Sequence, residues 1–221
     1  AEAARRATEF VDRAVKSKQI APGQVEVLQG LSTELTLPEK VDVVVAEIIG
    51  SIASEEGAYA TIRDAQARHA KAPSDPATWI PYAVQTVAAP ASYSAHALLG
   101  PPEFDWGKLG GAPVRLNCWD PAVQLLAEPQ LIEDIRFCEA APKGGKVESG
   151  PVAFSISEER IRANADAYKA ELRGDASADI AGLADQVAHS FSGVALWPRI
   201  QLDEAGTLIV ESRGPHGEPQ K

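Results

Sequence analysis

The sequence predicts two kinds of fold in one chain, an α/β part followed by a mainly antiparallel β part. Up to about Pro81 the chain alternates helical and strand-like segments, a rhythm typical of a parallel sheet with crossover helices. Beyond Pro81 the turn-rich stretches GPPEF, GKLGGAP and APKGGK separate short apolar runs, which indicates antiparallel strands. With 221 residues and 45% apolar content, the chain can bury the core that such a fold requires.

The first part supplies its elements in the order helix, strand, connection, strand, helix. Residues 2–17 predict a helix because its small and apolar side chains share one face; these are Ala4, Ala7, Phe10, Val11, Ala14 and Val15. VEVL at 25–28 predicts a short strand. The β-branched run at 41–45 predicts a strand covered on both faces. The segment 57–70 predicts the next helix, and the three prolines of 71–81 end it.

The second part is predicted to hold strands at 82–93, 131–140 and 152–157. A helix is predicted between them and the last strands, at 158–173, where one face carries Ile161, Ala165, Tyr168 and Leu172. The segment 194–213 predicts a hairpin around Asp203–Gly206. The four tryptophans, Trp79, Trp106, Trp119 and Trp197, are interpreted as core anchors.

Composition narrows the class of partner. The formal charge is −10, from 21 basic and 31 acidic residues, which disfavours nucleic acid and anionic membranes and suits a basic partner. No apolar run is long enough to cross a bilayer and no signal-peptide pattern occurs, so we expect a cytoplasmic or nuclear protein. Cys118 and Cys138 are expected to be buried and reduced; a disulfide or a metal pair is the alternative. The histidines show no zinc-like spacing, so no metal site is predicted.

Two glutamates follow the predicted strand at 41–45. Glu47 comes directly after it, where open α/β sheets build ligand sites, and Glu56 follows nine residues later. A bend at Gly50 and Ser51 would bring both carboxylates to one place. Two carboxylates can bind a planar guanidinium from different edges through charge-assisted hydrogen bonds. Glu55 is an alternative to Glu56 in this role, because spacing alone does not separate them.

The segment VDVVVAEIIGSIASEEG resembles the double-glutamate loop of the protein arginine methyltransferases, with Glu47, Gly50 and Glu56 at the positions of that motif. The segments WIPYAVQTVAAPASY, GPPEFDW and VALWPRIQL are similar to later parts of the same family, in the same order. The resemblance implies that residues 1–81 are the C-terminal half of a Rossmann-like methyltransferase domain. It implies that residues 82–221 form a β-barrel-like substrate and dimerisation domain with helical insertions.

The resemblance also implies a function. The chain would act on arginines in basic protein segments with S-adenosyl-L-methionine as methyl donor, and its parent would form a homodimer. Glu47 and Glu56 would hold the substrate guanidinium, and Leu31 and Ser32 would border the adenine of the cofactor. The family's glycine-rich cofactor loop and Thr-His-Trp loop have no counterpart in the chain, which has no methionine and begins inside a predicted helix. We therefore expect a fragment that binds the cofactor poorly by itself.

Two other functions remain open at this point. A catalytically silent relative would act as a scaffold, binding partners through the barrel and the helix at 158–173. A methyltransferase-like enzyme for a small molecule would carry glutamates that only resemble the pair.

Overall fold

The computed structural model describes residues 2–93, 106–115, 117, 123–139, 150–164 and 191–213. Its first element is helix α1, Glu2–Lys16, which confirms the helix predicted at 2–17. The apolar face of α1 is only half-buried, and Phe10 is 57% exposed, with the Arg13 guanidinium lying 4.3 Å from the centre of its ring. Arg5 pairs with Glu2 and Glu9 along the exposed face, at spacings that stabilise a helix.

The strand predicted at 25–28 is wrong. The segment belongs to no strand, no described residue pairs with it, and Val25 and Leu28 are exposed. An apolar alternating pattern favours the extended backbone, whereas a strand also needs a hydrogen-bonded neighbour.

The α/β part contains a short parallel pair of strands. Strand β1, Val44–Val45, pairs with β2, Trp79–Ile80, and helix α2, Ala58–Arg68, crosses between them. The predicted helix at 57–70 is thus confirmed, and the strand predicted at 41–45 forms over its last two residues. Its expected burial on both faces is wrong, since Val45 is 73% exposed. The reason is that no described element covers the face of β1 that carries Val45.

The larger sheet is antiparallel and has five strands. They are β3 (Ala83–Tyr93), β4 (Val123–Leu125), β5 (Gln130–Arg136), β6 (Gly193–Gln201) and β7 (Ile209–Glu211). Their order is β4-β3-β6-β7, and β5 also pairs with β3. The strands predicted at 82–93 and 131–140 and the hairpin around Asp203–Gly206 are confirmed.

Strand β3 has partners along both edges. One edge pairs with all of β6, from Ala83 opposite Gln201 to Ala91 opposite Gly193. The other edge pairs first with β5, up to Ala88, and then with β4, from Ala91 onward. Pro90 lies in the interval between these two partners, where its missing N–H breaks no bond to either of them. Every residue of β3 except Tyr93 is buried as a result.

The core joins the two parts of the chain. One cluster combines residues of the α/β part with residues of β3, β5 and the turn after it; its buried members are Ala53, Ala58, Ile62, Ala65, Ala70, Trp79, Val84, Ile135 and Phe137. Trp79 and Phe137 meet edge to face with their ring centres 6.1 Å apart. The domain boundary predicted between residues 81 and 82 stays a prediction, and hydrophobic packing is continuous across it.

Two further predictions fall on the second part. The strand at 152–157 is wrong, because that segment has no strand partner among the described residues. The helix predicted at 158–173 is present over 158–164, and the rest lies outside the described residues. Arg160 and Asn164 tie it to the sheet by donating to the Leu125 carbonyl at 3.3 and 2.6 Å.

Two of the four tryptophans, Trp79 and Trp197, are buried as predicted. The side chain of Trp106 and the whole of Trp119 lie outside the part of the chain that the structure describes. Cys138 has a free thiol and is half-buried rather than buried, and its partial burial raises the pKa of the thiol. Cys118 lies outside the described residues. Among the described helices, none is long and apolar enough to cross a membrane.

Candidate functional site

The loop that follows β1, residues 46–57, holds the predicted site. It leaves the carboxyl end of the parallel pair, where Ala46 N–H donates to the Ile80 carbonyl at 2.8 Å. The chain bends at Ser51 and Ile52, turns through 53–56 and enters α2 at Gly57. Gly57 has φ 74°, a left-handed conformation that suits glycine at the start of this helix. The bend predicted near Gly50 and Ser51 is therefore present, at the edge of the sheet where α/β proteins bind ligands.

Hydrogen bonds fasten the middle of this loop to the antiparallel sheet. Ala53 N–H donates to Thr86 Oγ1 at 2.8 Å, and the Thr86 hydroxyl donates in turn to the Glu133 carboxylate. The other oxygen of Glu133 accepts from Ser54 Oγ at 2.6 Å. Ala53 and Thr86 are completely buried. Hydrogen bonds to an ionised carboxylate are stronger than neutral ones, so this network fixes the loop on β3 and β5.

Glu47 and Glu56 lie at the two ends of the fastened loop. Both are exposed, and neither forms a hydrogen bond or ion pair with any residue in the described part of the chain. Their carboxylates are thus available to a ligand from outside. Their assignment as the guanidinium-binding pair stays a prediction.

Glu55 differs from both, because its carboxylate is engaged within the chain. One oxygen accepts from Ser51 N–H at 2.5 Å, and the other lies 2.5 Å from Nη2 of Arg115. The Ser51 N–H holds the pKa of Glu55 below its ordinary range, and the charge of Arg115 lowers it further. Glu55 is therefore ionised at neutral pH, and its carboxylate is already paired with the guanidinium of Arg115.

Gly50 makes room for this arrangement. A Cβ added at Gly50 would lie 2.5 Å from Oε2 of Glu55 and 2.9 Å from its Cβ, closer than real contacts allow. Glycine is therefore needed at position 50 because residues 50 and 55 approach each other closely, and not because the backbone adopts an unusual angle there.

The predicted cofactor-bordering residues lie on the loop 31–35. Leu31 is 64% exposed. The Ser32 carbonyl accepts from Arg68 Nη2 at 2.8 Å and contacts His69 Nε2 at 3.0 Å, and Arg68 also donates to the Leu35 carbonyl at 2.7 Å. Arg68 and His69 therefore hold this loop against the end of α2. The roles of Leu31 and Ser32 toward the cofactor stay predictions.

A pocket of about 290 Å³ lies between the loop, the segment 113–117 and the antiparallel sheet. Ser51, Ile52 and Glu55 line it from the loop, and Val194 to Trp197 line it from β6. The lining combines apolar side chains with the charged Glu55 and Arg115 and with the buried Arg213. It lies beside Glu55, on the same loop as the predicted pair.

Sequence reasoning missed Thr86, Glu133 and Arg115. Glu133 lies within the β-like run LIEDIRF, and a charged residue in that run was the one sequence signal of its role at the loop. Its partner Ser54 is 79 residues away in the chain, so no local pattern connects them. Arg115 follows a turn-rich stretch without any pattern that indicates a partner.

Comparison with solved structures shows likenesses in fold. The fold is similar to the crystal structure of Arabidopsis thaliana protein arginine methyltransferase 10, described as a uniquely open conformation, with a TM-score of 0.52 at 16% sequence identity. The match covers 90% of this chain and 58% of that one, so the chain spans less than two thirds of the length of that structure. No family model and no curated protein matches the sequence. At this identity the likeness concerns the fold alone: the chain has a fold like that of a protein arginine methyltransferase.

Proposed function

We propose that this chain is the arginine-binding and substrate-domain part of an S-adenosyl-L-methionine-dependent protein arginine N-methyltransferase. One observation carries the proposal. Two exposed carboxylates without partners in the described residues, Glu47 and Glu56, stand at the ends of a loop that the Glu133 network fastens to the sheet. The similar fold of a plant protein arginine methyltransferase supports the same function. The substrates would be arginines in basic protein segments, for which a chain of charge −10 is suited.

In this proposal Glu47 and Glu56 bind the target guanidinium from different edges. Arginine presents five N–H donors in a planar fork, and carboxylates accept them with charge-assisted bonds. Binding from two sides fixes the plane of the guanidinium and the direction of one terminal nitrogen. Orientation of this kind contributes about 7–11 kcal/mol to reactions between well-placed groups.

The two carboxylates also act on the charge of the substrate. They draw the positive charge toward the nitrogens they contact, which leaves more electron density on the nitrogen that reacts. Because arginine keeps its proton up to high pH, orientation and electrostatics matter more here than removal of a proton in advance.

S-adenosyl-L-methionine, when bound, supplies an electrophilic methyl group on a sulfonium. The exposed apolar side chain of Leu31 fits one wall of an adenine site. The Ser32 carbonyl already has two partners within the chain, Arg68 and His69, so it does not fit a hydrogen-bonding role toward the cofactor. A role of Ser32 toward the cofactor would therefore use its hydroxyl or its backbone N–H.

The test is methyl transfer by the complete protein to an arginine-containing peptide, followed by identification of methylarginine. We expect transfer by the wild type and loss of it in Glu47→Gln and Glu56→Gln, which keep side-chain shape but remove the charge. Glu159→Gln is the control, since Glu159 is an exposed glutamate of the helix at 158–164. Unchanged turnover in the two loop variants would contradict the assigned roles.

A second candidate is a protein-binding scaffold without catalysis. The specific observation in its favour is a set of exposed apolar side chains on β6 and β7, namely Val194, Leu196, Ile209 and Val210. The same assay separates the two: a complete protein that transfers no methyl group to any arginine or small-molecule acceptor favours the scaffold.

A further inference from the structure

The loop 31–35 is folded compactly on itself. The Leu31 carbonyl accepts from Glu34 N–H at 2.8 Å and from Leu35 N–H at 3.0 Å. A Cβ added at Gly30 would lie 2.8 Å from Cδ2 of Leu35, so the start and the end of the loop are in close contact. These contacts leave the side chain of Leu31 64% exposed. The loop therefore presents one apolar side chain from a defined backbone.

The C-terminal end of α2 holds this loop from outside. Arg68 Nη1 donates to the Leu35 carbonyl at 2.7 Å, and Nη2 donates to the Ser32 carbonyl at 2.8 Å. His69 Nε2 lies 3.0 Å from the same Ser32 carbonyl, and because a carbonyl oxygen only accepts, this nitrogen must carry the proton. Two neighbouring side chains thus bind the backbone of the loop at two points.

Arg68 is itself held in a fixed direction. Its Nε and Nη2 donate to the two oxygens of Asp64 at 2.7 and 2.6 Å, from one helical turn further along α2. The hydrogen bond from Arg68 lowers the pKa of Asp64, so this carboxylate is charged at neutral pH. The side chains of Arg68 and Asp64 are 34% and 24% exposed. A partly exposed ion pair is effective when it is bidentate and belongs to a network, as this one does.

The backbone that carries these side chains is tied into the α/β part. His69 N–H donates to the Ala65 carbonyl at 2.9 Å, and Val41 N–H donates to the His69 carbonyl at 2.8 Å. Lys71 N–H donates back to the Val41 carbonyl at 2.9 Å. The end of α2 is thereby fixed beside the chain that leads into β1, and the loop 31–35 is attached to a rigid support.

We infer that Arg68 and His69 are positioning residues for the cofactor, because they hold the loop 31–35 so that the Leu31 side chain meets the adenine of S-adenosyl-L-methionine. The inference rests on the proposed function, in which Leu31 borders the cofactor. A loop that is ordered before binding does not have to be ordered by the ligand, so the ligand binds more tightly. Neither residue contacts the cofactor itself, and both act through the loop.

The experiment uses the complete protein. Calorimetry measures its affinity for S-adenosyl-L-methionine, and kcat and KM are measured for methyl transfer to an arginine-containing peptide. The variants are Arg68→Lys, which keeps the charge but lacks the planar fork, and His69→Leu, which lacks the donor. Urea denaturation shows that each variant is folded, and hydrogen exchange of residues 31–35 without cofactor reports the loop.

Arg136→Lys is the matched control. Arg136 also bridges two acceptors, the carboxylates of Asp134 and Glu139, and its side chain is 45% exposed. It makes no described contact with the loop 31–35. This variant should bind the cofactor like the wild type.

We expect Arg68→Lys to bind the cofactor about tenfold more weakly than the wild type, which corresponds to ordering about one residue of backbone on binding. Hydrogen exchange of the loop should be faster, whereas kcat at saturating cofactor and the KM for the peptide should not change. His69→Leu should show a smaller loss, since Arg68 still holds the loop. Three results would each overturn the inference: an unchanged cofactor affinity in Arg68→Lys, an equal loss in Arg136→Lys, or a loss that appears in kcat instead of cofactor affinity.

A double-mutant cycle tests whether Arg68 acts through Leu31. Leu31→Ala changes an exposed side chain, so the fold should tolerate it. It should weaken cofactor binding in the wild type and weaken it less in Arg68→Lys, in which the loop no longer presents the side chain at a fixed place. Losses that simply add would contradict the inference.

The same measurements separate this inference from the proposed function. If the wild type forms methylarginine while Arg68→Lys binds the cofactor unchanged, the proposed function stands and the inference falls. If cofactor binding depends on Arg68 as expected while no methylarginine forms, the inference stands and the proposed function falls. A wild type that binds no cofactor would overturn both.

Discussion

Ser54 Oγ donates a hydrogen bond to Glu133 Oε1 at 2.6 Å, across 79 residues of chain. Glu133 receives the Thr86 hydroxyl on its other oxygen, and Thr86 receives Ala53 N–H. One carboxylate on β5 thereby holds the centre of the loop that carries both predicted guanidinium ligands.

Glu133→Ala should destabilise the protein and loosen this loop. The variant leaves the completely buried Thr86 hydroxyl without its acceptor, and an unsatisfied buried group costs about 1–3 kcal/mol. Urea denaturation measures the loss, and hydrogen exchange of residues 50–57 reports the loop. Glu139→Ala is the control, since Glu139 forms an exposed pair with Arg136, worth at most about 1 kcal/mol. Equal losses in both variants would show that Glu133 has no special anchoring role.

Gly50→Ala should displace Glu55. The new methyl group would lie 2.9 Å from the Glu55 Cβ, so residue 55 has to move and its bond to Ser51 N–H is lost. We expect a loss of about 1–3 kcal/mol from overpacking, and a pKa of Glu55 that rises back toward its ordinary value of 4.5 in a carbon-13 NMR titration. Gly150→Ala is the control, because a Cβ there meets nothing within 4 Å. A folded Gly50→Ala protein with an unchanged Glu55 titration would contradict this account.

Gln66→Glu should weaken the attachment of α2 to the antiparallel sheet. Nε2 of Gln66 donates to the carbonyls of Phe137 at 2.7 Å and Glu139 at 2.9 Å. A carboxylate has no proton to donate and faces two acceptors, so the unfolding free energy should fall by about 1–3 kcal/mol. Ala60→Glu adds the same charge to an exposed position of the same helix and controls for charge alone. The idea fails if both variants unfold at the same urea concentration.

The turn between β6 and β7 should weaken in acid. The Thr207 hydroxyl and Leu208 N–H both donate to Asp203, and these bonds hold the pKa of Asp203 below its ordinary value of 3.8. Because the folded pKa is lowered, the stabilisation is complete above 3.8 and is lost as pH falls through the folded value. The stability difference between the wild type and Asp203→Asn, measured by urea denaturation, should be largest near neutral pH and shrink in acid. A difference that stays constant with pH would show that the charge of Asp203 is not involved.

The sequence predicted those features that depend on neighbouring residues. Helical periodicity located α1 and α2, and β-branched runs with turn residues located β3 and the β6–β7 hairpin. The segments 25–28 and 152–157 carry similar apolar patterns but have no strand partner among the described residues, and a pairing partner is not written into the local sequence. The same limit applies to Val45, whose exposure depends on which elements cover β1.

The candidate site divides in the same way. Glu47, Gly50 and Glu56 belong to one continuous motif, so they can be proposed from the sequence, and their role stays a prediction. Glu133 lies 79 residues from its partner Ser54, and Arg115 lies 60 residues from its partner Glu55. Only the tertiary fold brings them to the loop. That Glu55 has an internal partner whereas Glu56 has none among the described residues likewise depends on Arg115, which no feature of the loop sequence indicates.

Because β3 is paired along both edges, other described elements should unfold locally before it does. Amides of a strand bonded along both edges exchange with solvent only when the whole sheet opens, whereas α1 and the edge strand β7 can open alone. Thr86 belongs to β3. The hydroxyl that receives Ala53 N–H therefore lies on a strand held along both edges, so local opening of α1 or β7 leaves the anchor of the loop in place.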